Sequence, residues 1–119
     1  MKNRKALILG LSFRPNVKED ALSTTYLLKE VLLQSGFEVK VHDTEFSPAE
    51  IKLKGFDPIA DLRDVDCEVV FLVTMHKEYK QLDFDRFAKN GVKYFVDGRN
   101  SVNRANVKEA GIEYIGIGR

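Results

Sequence analysis

Ala6-Leu7-Ile8-Leu9-Gly10-Leu11-Ser12-Phe13-Arg14-Pro15-Asn16-Val17-Lys18-Glu19-Asp20 is the stretch whose reading decides the fold. It opens as a continuous apolar run, the signature of a strand buried on both faces, over residues 5–12. The run breaks at Gly10 and becomes a polar loop carrying Arg14, Asn16 and Lys18, and a helical pattern follows from Ser23. A buried strand, a glycine, a basic loop and a helix N-terminus are the parts of an anion site, because free backbone N–H groups and the positive helix end favour a phosphate. Ligands of open α/β sheets sit beyond the carboxyl ends of the strands. Function is therefore expected here first.

Outward from this stretch, strands and helices alternate. Apolar residues at Leu22, Tyr26, Leu27, Val31 and Leu32 predict an amphipathic helix over 22–35, with hydroxyls at Ser23, Thr24 and Thr25 near its start and Gly36 at its end. Residues 37–43 alternate as a strand, with Phe37, Val39 and Val41 on one face. Ser47 and Pro48 open a short helix within 44–54, Gly55-Phe56-Asp57-Pro58 turns the chain, and 59–65 reads as a turn or two of helix. Residues 68–74 form a second fully apolar strand. A polar segment over 75–80 follows, then a helix over 83–90 with Phe84 and Phe87 inward, a strand over 92–97, a helix over 102–110 and a last strand over 112–117.

This alternation predicts a single domain over residues 1–119, of class α/β: three α/β/α layers around a mostly parallel, Rossmann-like sheet of five or six strands, covered on both faces. The first strand and the Val69–Thr74 strand should lie in the middle, where the order reverses. The loops at Phe13–Asp20 and Thr74–Tyr79 then flank one crevice, and Arg99 approaches its rim.

Composition narrows the function. The chain is 44% hydrophobic and 31% charged, with a net charge of +1. That balance provides no field for nucleic acid or an anionic membrane. No apolar run approaches the roughly 18 residues of a membrane span, and the basic start, Met1 to Lys5, meets Arg14 too early for a signal peptide. Cys67 is the single cysteine, which excludes an internal disulfide and suits a reducing cytoplasm. Asp66 and Glu68 beside it raise a thiol pKa, the wrong direction for a nucleophile. His42 and His76 lack metal-ligand spacing, so no metal is expected. His76 lies on the crevice loop, within reach of a ligand there.

Two readings stand for each cation. Arg14 and Lys18 either bind a phosphate or form a solvated basic loop. Arg99, in Asp97-Gly98-Arg99-Asn100, pairs either with a phosphate or with Asp97. Asp43 closes the second strand, where a dinucleotide fold holds a ribose hydroxyl, but the first turn reads Gly10-Leu11-Ser12-Phe13-Arg14-Pro15 rather than G-x-G-x-x-G. Asp43 is accordingly read as a turn or cap residue, and NAD binding by this chain alone is not expected. A phosphorylation receiver domain would need acids at the end of the first strand, and Gly10-Leu11-Ser12 has none.

Five segments together carry a resemblance. Ile8 to Asn16 resembles the G-L-[SA]-[FY]-[KR]-x-x opening of the C-terminal domain of the UDP-glucose/GDP-mannose dehydrogenase family. Val39 to Asp43 resembles its V-x-V-Y-D-P strand, Val70 to Tyr79 its L-V-T-x-H-x-E-[FY] segment, Tyr94 to Asn100 its D-x-R-N strand end and Tyr114 to Arg119 its closing Y-x-G-I-G-R. They occur in family order over nearly the whole chain. The resemblance implies a UDP-sugar-binding domain of an NAD-dependent enzyme of the UDP-glucose or UDP-N-acetylhexosamine type. Such enzymes oxidise the C6 alcohol of the sugar to a carboxylate. It implies Phe13, Arg14 and Arg99 as substrate contacts. It implies no catalytic residue here, since the family's NAD domain and catalytic cysteine lie N-terminal to this part. N-terminal NAD-binding and central catalytic domains, and a homodimer at full length, are the implied partners. The family arginine that approaches NAD falls at Ala21, with Lys18 on the same loop as a substitute cofactor contact. The alternative is a stand-alone, non-catalytic nucleotide-binding or regulatory module of the same fold.

Overall fold

A computed structural model describes residues 4–12, 15–18 and 24–117. Among these residues six strands form one sheet in which every pairing is parallel: β1 (Lys5–Leu9), β2 (Glu38–His42), β3 (Asp57–Pro58), β4 (Val69–Leu72), β5 (Tyr94–Asp97) and β6 (Glu113–Gly116). Their order is β3-β2-β1-β4-β5-β6, so β1 and β4 are central and the order reverses between them, as the two apolar runs predict. The Asp57–Pro58 pair, read from the sequence as a turn, is a two-residue edge strand. Proline is tolerated there because an edge leaves one side of the ladder unpaired.

Among the described residues four α-helices cover the sheet: α1 (Thr25–Gln34), α2 (Pro48–Leu53), α3 (Phe84–Lys89) and α4 (Arg104–Glu109). Ser47 and Glu50 close a full capping box on α2, with Pro48 in its first turn. The predicted helix over 59–65 is a single 3₁₀ turn at Leu62–Asp64, capped by the Asp61 side chain. On one face Ala6, Ile8, Val39 and Val41 pack with Leu32 of α1 and Ile51 of α2. On the other, Leu7, Leu9, Val70, Leu72 and Phe95 pack with Phe87 of α3 and Val107 of α4. The chain travels one way from β1 and the other way from β4, and right-handed crossovers then place the two helix pairs on opposite faces.

One expectation needs correction. The α1 face is turned: Thr25, Leu28 and Leu32 point to the sheet, while Leu27 and Val31, expected inward, are 70% and 51% exposed. Each helix pair also covers only its own half of the sheet. Beyond α1, that face continues over Phe71 and Val73 of the β4 end and Ile115 and Ile117 of the β6 end, the isoleucines 38% and 55% exposed. Leu27 and Val31 form the side wall of the resulting step, which is why they lie outside the core.

Candidate functional site: the carboxyl edge of the sheet

At the carboxyl edge the two central loops are fastened to each other. Gly10 has φ +113 and lies so close to the β4 end that an added Cβ would stand 2.6 Å from the Thr74 Cβ. The Thr74 hydroxyl donates to the Ser12 carbonyl at 2.6 Å, and the Thr25 hydroxyl, at the start of α1, donates to the Gly10 carbonyl at 2.5 Å. Asp43, at the β2 end, is 3% exposed. Its Oδ2 accepts the N–H of Leu11 at 2.6 Å, the N–H of Ser12 at 2.9 Å and His76 Nε2–H at 2.9 Å, while Oδ1 accepts the N–H of Glu45 at 2.7 Å. Burial pushes its carboxyl pKa up. The His76 bond and the backbone donors of Ser12 and Glu45 outweigh burial and hold it below the ordinary 3.8. Asp43 is thus the turn residue the sequence suggests, and also the anchor of the loop after β1.

His76 is fully buried. Its Nδ1 accepts the N–H of Asn16 at 2.7 Å, so the hydrogen-bond network assigns the ring proton to Nε2, facing Asp43. The expectation that His76 could meet a ligand is corrected: both ring nitrogens serve the protein. His42 and Tyr79 lie alongside. The Tyr79 hydroxyl donates to the His42 carbonyl at 3.0 Å and accepts from His42 Nδ1 at 2.8 Å.

Burial holds the His42 imidazole below its ordinary 6.5, with the Asp43 charge opposing. The folded protein therefore binds the proton less readily than the unfolded chain. This part of the stability is complete above pH 6.5 and is lost as pH falls below it toward the folded value. Urea unfolding from pH 8 to pH 5 should show that loss, and His42→Asn, which keeps a donor for Tyr79, should flatten it. An unchanged slope in the variant would assign the loss elsewhere.

On the other side of the switch point, Asp97 is fully buried at the β5 end. It accepts the N–H groups of Arg99 at 3.0 Å, Ser101 at 2.8 Å and Val102 at 3.0 Å, and the Tyr114 hydroxyl at 2.9 Å. The carboxylate holds the backbone of Arg99, not its guanidinium, so of the two readings of Arg99 the ion pair with Asp97 is not formed. Among the described residues the guanidinium has no hydrogen bond or ion pair. The side chain lies at a cleft of about 460 Å³ between α1 and the sheet, lined by Leu27, Val31, Phe71, Val73 and Val96. The cleft is thus an apolar slot with, among the described residues, one cation that has no ion pair, at the edge where α/β sheets take ligands. A second hollow, of about 530 Å³, lies toward the amino ends of β1 and β2. It mixes Lys5 and Lys40 with Glu38, Asp57, Asp64 and Asp66, a net negative lining unsuited to a phosphate.

Phe13 and Arg14 lie outside the described residues, as do Ala21, Leu22 and Ser23. Lys18 forms an ion pair with Glu50 of α2 and stands 5.6 Å from the Phe46 ring centroid. Its anchor is on the β2 side, whereas Arg99 follows β5, three strand spacings or about 14 Å away. The described residues do not fit a dinucleotide: Asp43 spends its oxygens on protein donors, and Thr74 crowds the single glycine of the turn. Cys67 is 3% exposed, and burial followed by the Asp66 charge pushes its thiol up to about 12, so it is no nucleophile. No group of three or more metal-ligating side chains occurs among the described residues. Among them, too, no helix is long and apolar enough to cross a membrane.

Residues 7–104 match the family model described as the UDP-glucose/GDP-mannose dehydrogenase family, UDP binding domain. The chain belongs to this family. UDP-glucose 6-dehydrogenase of Rhizobium meliloti (strain 1021) is 29% identical over 124 residues, which take up 100% of this chain and 28% of the relative. Among solved structures, an NDP-N-acetyl-D-galactosaminuronic acid dehydrogenase from Methanosarcina mazei Go1 superposes with a TM-score of 0.81 at 23% identity, over 98% of this chain and 25% of that one. A UDP-glucose dehydrogenase from the hyperthermophilic archaeon Pyrobaculum islandicum gives 0.73 at 28% identity, over 96% and 25%. The chain thus spans little more than a quarter of the length of these relatives. In this UDP-glucose/GDP-mannose dehydrogenase family domain, the five motif segments fall at the strand ends just described. Many of their polar residues, Asp43, Thr74, His76, Tyr79, Asp97 and Tyr114, bond to one another or to the intervening backbone. That pairing across the switch point is what sequence reasoning missed. Its trace in the sequence is that Asp43, Thr74 and Asp97 close predicted strands, with His76 and Tyr79 on the segment that follows one of them.

Proposed function

We propose that this domain binds the UDP part of a nucleotide sugar at the carboxyl edge of its sheet, with Arg99 on the diphosphate and the apolar cleft beside α1 against the rest of the nucleotide. Arg14, from the loop after β1, is the second anion contact in this reading, and Phe13 lies beside it. In a complete enzyme the domain presents the sugar for NAD-dependent oxidation of its C6 alcohol to a carboxylate. The NAD site and the nucleophilic cysteine then belong to N-terminal domains, the full-length protein is a dimer, and the setting is the cytoplasm. The sugar is of the UDP-glucose or UDP-N-acetylhexosamine type.

The observation that carries this reading is the Arg99 guanidinium, without a hydrogen bond or ion pair among the described residues, at the mouth of a cleft while Asp97 fixes its backbone. An exposed cation with a fixed root costs little to bring onto an anion. Membership of a family whose matched domain is described as UDP binding supports the same assignment.

Calorimetric titration of the 119-residue chain with UDP, GDP and NAD tests it. UDP should bind, NAD should not, and Arg99→Ala should weaken UDP by roughly 10- to 100-fold, the worth of a well-made charged hydrogen bond. Equal UDP heats from wild type and variant would remove Arg99 from the site.

A further inference from the structure

We infer that the apolar cleft beside α1 is a nucleoside slot that takes the base by contact area alone: it holds uracil, cytosine or 5-methyluracil alike and does not read their exocyclic groups. The inference deepens the UDP reading above and rests on it.

The cleft has two ends of different chemistry. α1 starts at the carboxyl edge of the sheet, where the Thr25 hydroxyl is bonded to the Gly10 carbonyl, so Thr24 and Arg99 stand at the same end of the cleft. Among the described residues that line it, Arg99 is the one charged side chain and Thr24 the one other polar side chain. The Thr24 hydroxyl makes no capping bond to α1. Val31 lies two helical turns further on, about 10 Å toward the amino edge. On the sheet, Phe71 and Val96 pair in the β4–β5 register, two residues or about 7 Å short of Val73 and Gly98. A diphosphate held by Arg99 therefore has its nucleoside directed along an apolar slot.

Among the described residues, nothing past the Arg99 end can hydrogen-bond to a base. β4 lies between β1 and β5, and β5 between β4 and β6, so parallel ladders on both sides use the backbone of both floor strands. The α1 backbone is spent within the helix. The side chains there, Leu27, Leu28, Val31, Phe71 and Val96, are all apolar. Pyrimidines differ in an exocyclic oxygen, amine or methyl group, and strong discrimination between them takes a placed donor or acceptor. Without one, only covered area counts. The base keeps its polar edge toward water, because a carbonyl or N–H buried in this slot would go unpaired. Leu27 and Val31 are the exposed side chains that its ring would cover.

Calorimetric titration of the wild-type 119-residue chain with inorganic pyrophosphate, UDP, CDP and 5-methyluridine diphosphate tests this. CDP should bind within about threefold of UDP. The 5-methyl compound should bind about two- to fourfold tighter, as one methyl leaves water. Pyrophosphate should bind at least about tenfold more weakly than UDP, and the nucleotides alone should show the negative heat-capacity change of apolar burial. Replacing Leu27 and Val31 together by alanine changes two residues outside the core. It should weaken all three nucleotides about tenfold and leave pyrophosphate within about twofold of wild type. CDP or the 5-methyl compound binding tenfold or more weakly than UDP would mean that the base edge is read. That result overturns the inference and leaves the UDP reading standing, as does pyrophosphate binding as tightly as UDP, or a double variant with wild-type UDP affinity. An absence of UDP binding to the wild-type chain overturns the UDP reading, and this inference with it.

Discussion

Asp43→Ala is expected to destabilise the fold by about 3–5 kcal/mol, the cost of removing one partner from a buried, fully engaged charged group. The carboxylate is 3% exposed and takes four donors: the N–H groups of Leu11, Ser12 and Glu45, and the His76 ring. Alanine leaves all four facing a space with no acceptor. Asp43→Asn should fall between the two, since its carbonyl can serve some donors while its amide meets others head-on. Because the bonds hold Asp43 below its ordinary 3.8, the wild-type contribution is complete above that value and is lost as pH falls through the lower folded value. The difference between wild type and Asp43→Ala should therefore shrink in acid. Urea unfolding at pH 7 and at pH 3 reads both effects. A loss under about 1 kcal/mol at pH 7 would mean that water replaces the carboxylate, and that the loop does not depend on it.

Gly10→Ala should be nearly as costly for a different reason. An added Cβ would lie 2.6 Å from both the Cβ and the backbone nitrogen of Thr74, and φ of +113 is a conformation that side chains resist. Strain of about 1–3 kcal/mol and overpacking of about 1–3 kcal/mol both apply. The backbone nitrogen belongs to a chain fastened into the sheet, so it cannot step aside as a flexible side chain would. Relief has to come from β1 and β4 moving apart, which also breaks the Thr74–Ser12 bond. The melting temperature should drop by tens of degrees or the chain should fail to fold. Adding Thr74→Gly should recover only the part due to the Thr74 side chain. A Gly10→Ala chain as stable as wild type would show that the edge is not as tightly closed as these distances require.

Both substitutions lie on motif segments, and this shows how far such segments can be read. The Ile8–Asn16 segment looks like an anion loop, and Gly10 looks like a gap made for a phosphate. In the folded protein that gap is occupied by Thr74. Asp43 stands where a dinucleotide fold has its ribose acid, reads from the sequence as a turn or cap residue, and turns its oxygens to Leu11, Ser12, Glu45 and His76. Arg99 is the opposite case. The sequence left phosphate and Asp97 as rival partners. The carboxylate binds the backbone of Arg99 and Ser101 instead, and no other described residue pairs with the guanidinium.

What the amino-acid sequence determined alone rested on local periodicity and punctuation. Two uninterrupted apolar runs marked the central strands β1 and β4, glycines and caps marked the helix ends, and alternating elements implied a parallel sheet with its working edge at the carboxyl ends. Tertiary structure alone decided which side of α1 faces the sheet, where the sheet face beside α1 opens as a cleft, and which polar side chains serve protein rather than ligand. The reason is physical. Periodicity is carried by neighbours a few residues apart, whereas Asp43 and His76 are 33 positions apart and Ser12 and Thr74 are 62. Whether a carboxylate or an imidazole has free valence is settled only when the sheet brings such distant residues to hydrogen-bonding distance and excludes water from between them.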